Sequence, residues 1–99
     1  MRKLISVRKE DVENSIRAQM GEYSCWSEVC PIAQAIRRIF PNWYISVGFT
    51  SIDIDKEVWK MPAVATKEIF AFDRTREYEG YTDYLESFVP FSFYITKIS

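Results

Sequence analysis

Cys25 and Cys30 flank a short loop, and Pro31 then opens an apolar run through Ile32, Ala33, Ala35 and Ile36. An ionised thiol is a nucleophile and a metal ligand, and a helix N-terminus lowers its pKa. The spacing is not C-x-x-C and no second pair follows, so neither a dithiol redox motif nor a four-cysteine zinc site is present. The plainest reading is that Cys30 caps the Pro31 helix from a buried position and Cys25 packs as a small hydrophobe. Asp53 and Asp55 share one face of a strand, alternating with Ile52 and Ile54. Paired carboxylates can bind a cation or exchange a proton, although acids alternating with isoleucines chiefly mean a solvated face. Arg17, Arg37, Arg38, Arg74 and Arg76 supply guanidinium forks for phosphate or carboxylate. Tyr23, Trp26, Trp43, Tyr44, Trp59, Tyr78 and Tyr81 offer flat surfaces for a base. Guanidinium plus ring is the chemistry of nucleotide capture, provided the side chains converge.

The chain contains no histidine. This removes the commonest general base at neutral pH and the commonest transition-metal ligand, and with it Ser–His and Cys–His nucleophilic catalysis. The isolated glycines Gly21, Gly48 and Gly80 make no phosphate loop. No metal site and no cofactor are expected. A net charge of −1 argues against a sequence-independent nucleic-acid binder. The longest apolar runs fall far short of the roughly 18 residues of a membrane span. The segment Met1-Arg2-Lys3-Leu4-Ile5-Ser6 lacks the apolar core of a signal peptide, so a cytoplasmic setting with reduced cysteines is expected.

The elements that must position these residues follow from periodicity. The 99 residues are 47% hydrophobic and 16% aromatic, enough for one domain, 1–99, with a real core. Leu4 to Val7 reads as a strand. Lys9 to about Met20 reads as a helix, its early acids favoured by the dipole and its acidic run solvated, with Gly21 as the stop. Glu22 to Cys30 is a loop, and Pro31 begins a helix that Pro41-Asn42 ends. Gln34, Arg37 and Arg38 lie opposite its apolar stripe. Trp43 to Phe49 alternates with Trp43, Ile45, Val47 and Phe49 inward. Ser51 to Asp55 pairs with it as a hairpin, and Glu57 to Lys60 is read as a further short strand after a turn at Asp55-Lys56. Pro62 opens a third helix with Ala65, Ile69 and Phe72 on one face, and Gly80 marks its exit. Tyr81 to Phe88 is a helical turn or a loop. Val89 to Thr96 is a closing strand, and Pro90 marks it as an edge strand or a strand beginning. The expected fold is α+β, a small mainly antiparallel sheet with helices on one face, in the order β-α-α-β-β-(β)-α-β.

Glu10-Asp11-Val12, Ser15-Ile16-Arg17 and Cys30-Pro31-Ile32-Ala33-Gln34-Ala35, with Phe70-Ala71-Phe72-Asp73 and Pro90-Phe91-Ser92-Phe93, together resemble a set of short proteins from bacteriophages and bacteria. These open with a strand and a T-x-E-D-I-like helix, continue through a cysteine-containing loop to C-P-[IV]-A-x-A, and close with a P-F-x-F strand. Ser15 stands where that set commonly has glycine, and the loop before Cys30 is longer. The resemblance implies a viral protein acting in the host cytoplasm, and by analogy of size and origin an anti-defence sponge. The leading expectation is a non-catalytic binding protein, a homo-oligomer, that sequesters a small anionic nucleotide-derived signal. Arg17 would contact its phosphate or carboxylate and Tyr23 or Trp26 would stack on it. The Pro31 helix N-terminus at Cys30 would face the negative charge, and Arg74 completes the candidate set. The alternative is a protein–protein adaptor or inhibitor of a host protein, using exposed rings and a free edge strand at Pro90–Thr96. An enzyme using Cys30 or the Asp53/Asp55 pair ranks last.

Overall fold

Strand residues at every second position are buried, and they build the floor of the molecule. The computed structural model describes residues 1–20, 26–41, 43–74 and 81–98, with the backbone alone at 19–20, 26–27 and 81–82. Five strands, β1 (Arg2–Val7), β2 (Ile45–Val47), β3 (Ser51–Ile54), β4 (Glu57–Lys60) and β5 (Phe91–Lys97), form one sheet in the order β1-β5-β4-β3-β2, with every pairing antiparallel. Ile5, Val7, Ile45, Val47, Ile52, Ile54, Trp59, Phe93 and Ile95 point to one face and are nearly solvent-free. The helices are α1 (Lys9–Met20), α2 (Trp26–Val29), α3 (Pro31–Ile39), α4 (Ala63–Arg74) and α5 (Tyr81–Ser87). Ile32, Ala33, Ala35 and Ile36 of α3, with Ala65 and Ile69 of α4, close the core over that face. The fold is therefore α+β, as the periodicity predicts. Among the described residues, no helix is long and apolar enough to cross a membrane.

Local chemistry explains the α3 start. Pro31 occupies the first turn, where a missing N–H costs nothing, and Cys30 is the N-cap, its Sγ accepting from Ala33 N at 3.4 Å. The α1 start is held differently. Asp11 in the first turn reaches back to the main-chain N–H of Arg8 (2.8 Å), while Asp11 N donates to Arg8 O (3.0 Å). This is the carboxylate half of a capping box.

Four expectations need correction. The strand expected over Trp43–Phe49 shrinks to Ile45–Val47, because Gly48 N turns back to Ser51 O (2.9 Å); Trp43 and Phe49 are 40% and 55% exposed rather than inward. A Cβ on Gly48 would stand 3.2 Å from that same oxygen, which accounts for glycine there. The loop expected over Glu22–Cys30 contains α2; of the two alternatives for Tyr81 to Phe88, the structure takes the helical one as α5. Asp11, expected on a solvated face, is wholly buried because Arg38 covers it. Lastly, β5 begins directly after Pro90, as that proline marks, but it is not the sheet's outermost strand. It pairs with β1 along Phe91–Thr96, and through Thr96 and Lys97 it also pairs with β4. The sheet's long free edge is β1. The expected stops at Gly21 and Gly80 lie outside the described residues.

Candidate functional site

Where the expected ligand residues fall decides between two concavities. Cys30 is in the core, 3% exposed, beneath α4 and α5. Burial pushes its thiol up to about 11, outweighing the Ala33 and Ile32 N–H groups that favour the thiolate. Desolvation outweighs the helix dipole, and Cys30 caps α3 from a buried position, as its place before Pro31 predicts. Arg17 is exposed and donates to Asn14 Oδ1 at 2.5 Å on its own helix. Tyr23 and the Trp26 side chain lie outside the described residues. Arg74 does line a cleft, of about 440 Å³ between α4 and α5, with Glu68, Asp83, Tyr84 and Phe88. Cys30 does not line this cleft, although the small cavity it does line shares Glu68 and Tyr84 with it, and Arg17 lines neither.

That cleft has the wrong sign for a phosphate. Among the described residues, Glu68 and Asp83 set two carboxylates against the Arg74 guanidinium. Tyr84 Oη donates to Glu68 Oε2 at 3.2 Å, and burial together with that carboxylate raises the phenol's pKa. Tyr84 also meets Phe72 edge to face, centroids 4.9 Å apart. These contacts describe a packed helix junction more than a receptor for an anion. Asp53 and Asp55 do not form a pair either. Asp53 is exposed on β3, while Asp55 sits in the β3–β4 turn at φ 53° and its Oδ1 accepts from Tyr44 N at 2.7 Å. Among the described residues, no group of three or more potential metal ligands comes together.

The second concavity runs between the β2–β3 turn, the end of β4 and the first two turns of α4. It encloses about 600 Å³ and is lined by Thr50, Lys60, Ala63, Thr66, Lys67 and Phe70, with Met61. Residues 63, 66, 67 and 70 share one face of α4 by helical spacing. Phe70, off the core stripe of Ala65, Ile69 and Phe72, is 49% exposed and stacks on Phe49 with centroids 4.9 Å apart and planes at 19°. Met61 N donates to Thr50 O (3.0 Å), and the Thr66 hydroxyl donates to Phe49 O, so the turn, strand and helix are tied to one another. Lys60 and Lys67 line this groove, and no carboxylate does among the described residues. Neither Lys60 nor Lys67 is in an ion pair among the described residues. The sequence reading looked for arginines and missed these lysines. The available signal was Phe70, an aromatic side chain off the buried stripe of its helix.

No protein-family model matches the chain, and no curated protein or solved structure shows significant similarity to it.

Proposed function

We propose that this protein is a non-catalytic binder of a small anion that carries a flat ring, and that the groove between the β2–β3 turn and α4 is its site. One observation carries the reading: an exposed Phe49–Phe70 stack stands beside two lysines in a concavity that has no acidic lining among the described residues. A ring laid against the phenylalanine pair gains stacking energy, about 1–3 kcal/mol for a base. Lys60 and Lys67 supply point charges for phosphate or carboxylate, and the Thr50 hydroxyl adds a donor within the groove. A nucleotide-derived signal is the ligand class that joins these features, and sequestration of such a signal is the biological use that the phage-like resemblance implies. The absence of histidine from the chain supports holding rather than turnover.

The test is calorimetric titration against cyclic and linear adenine nucleotides, with adenosine and inorganic phosphate as controls. Binding of at least one nucleotide, weakened by salt and lost in the Lys60→Glu, Lys67→Glu double variant, is the expected result. A folded sample that gives no heat with any nucleotide would count against the reading.

A further inference from the structure

The main-chain groups of β1 define a second binding surface, independent of the groove. In an antiparallel pair, residues alternate between those that exchange both hydrogen bonds with the partner strand and those whose N–H and C=O point away. Lys97 N donates to Met1 O at 3.0 Å, so the odd-numbered residues of this segment face β5. Arg2, Leu4 and Ser6 therefore direct their main-chain groups to the other side. Two observations agree. The Ser6 and Ser92 hydroxyl oxygens approach to 2.9 Å, as the closer side chains of a non-hydrogen-bonded pair do, and Arg38 Nη2 reaches Ser6 O from outside the sheet at 2.7 Å. Outside the strand ladder, no hydrogen bond among the described residues ends on the N–H or C=O of Arg2 or Leu4.

Sheets generally protect such an edge by shortness, charge or cover. The opposite edge, β2, has three residues. β1 has six, is closed at its Ser6 end by Arg38, and is open at Arg2 and Leu4. The open stretch is basic. Arg2 lies over the Tyr94 ring (4.3 Å) and Lys3 over Phe40 (5.3 Å). Beside them Leu4, 50% exposed, pairs across the sheet with Tyr94, which is 49% exposed. Arg38 Nε and Nη2 are occupied by Asp11 and Ser6, while Nη1 has no partner among the described residues.

We propose that β1 captures an extended acidic peptide segment of a partner protein by strand addition, its backbone pairing with Arg2 and Leu4. Its acidic side chains lie on the helix-covered face against Lys3 and Arg38 Nη1, and its apolar side chains lie on the opposite face beside Leu4. Main-chain pairing supplies affinity and the side chains supply selectivity. Charge favours this occupant over a second copy of the chain, since self-pairing would bring Arg2 and Lys3 of both copies together.

The probe is a fluorescent, end-blocked octapeptide of alternating valine and glutamate, followed by anisotropy on the full chain. Saturable binding is expected, with slowed hydrogen exchange at the Leu4 amide. Methylating alternate backbone nitrogens of the peptide, or replacing its glutamates with lysine, should weaken binding about tenfold or more. Leu4→Pro should do the same while the thermal transition persists, since proline is tolerated where an edge N–H faces solvent; the methylated peptide decides the matter on the unaltered protein. Lys67→Glu should leave peptide binding unchanged, which separates this edge from the groove. No binding, equal binding of the methylated peptide, or a peptide-free dimer with an already protected Leu4 amide would each overturn the proposal.

Discussion

Arg38 clasps Asp11 with two parallel bonds, Nε to Oδ1 and Nη2 to Oδ2, both 2.8 Å, across 27 positions of sequence. The Asp11 side chain is fully buried and the Arg38 side chain is 30% exposed. Asp11 simultaneously caps α1 through Arg8 N, and Arg38 simultaneously holds Ser6 O. One ion pair thus joins the end of β1, the start of α1 and the last turn of α3. Hydrogen bonding to Asp11 is the main cause that raises the Arg38 pKa above its ordinary value. Arg38→Ala removes the guanidinium from a buried carboxylate, and should lower unfolding free energy by about 3 kcal/mol, the low end of the range for a broken buried pair because Arg38 is partly solvated. Arg38→Lys should recover part of this, since it keeps the charge but not the fork. Urea denaturation of the variants measures both.

Cys30 should make the fold sensitive to alkali. Its thiol ionises near 9.0 when exposed and only at about 11 when buried. Folding therefore retains a proton that the unfolded chain releases, so stability present below pH 9.0 is lost as pH rises toward about 11. The slope reaches at most about 1.4 kcal/mol per pH unit. Cys30→Ala should flatten denaturation curves in this window, apart from the further loss at higher pH as Tyr84, also raised, ionises. In the native protein at pH 8, Cys30 should react with an aromatic disulfide reagent only on unfolding.

In the groove, Phe70→Ala should separate binding from stability. The ring is half exposed, so its loss should cost the fold about 1 kcal/mol or less. Loss of the stacking surface should weaken nucleotide affinity about tenfold. Lys60→Gln and Lys67→Gln should each reduce affinity and the salt dependence of binding, with thermal stability unchanged. Equal affinity in all three variants would place the ligand elsewhere.

Asp55 fills two roles in the β3–β4 turn, adopting φ 53° and accepting Tyr44 N through its carboxylate. Asparagine tolerates that backbone region and keeps the acceptor, so Asp55→Asn should change stability by about 0.5 kcal/mol or less. Valine satisfies neither requirement, and Asp55→Val should cost about 2 kcal/mol. Thermal melts of the two variants make the comparison.

Elements specified by neighbours a few residues apart were legible in the sequence. Pro31 and Cys30 announced the start and cap of α3, and Ile52 and Ile54 announced β3, because helix and strand periods and N-terminal caps are local properties. Absence of histidine likewise restricts the chemistry open to the chain before any folding is considered. Tertiary structure decided what depends on distant segments meeting. It placed β5 inside the sheet and β1 at its edge, buried Asp11 beneath Arg38, raised the Cys30 thiol by enclosing it, and set Phe49 beside Phe70 and two lysines. Burial and charge proximity act through space, and no period along the chain encodes which surface will face another.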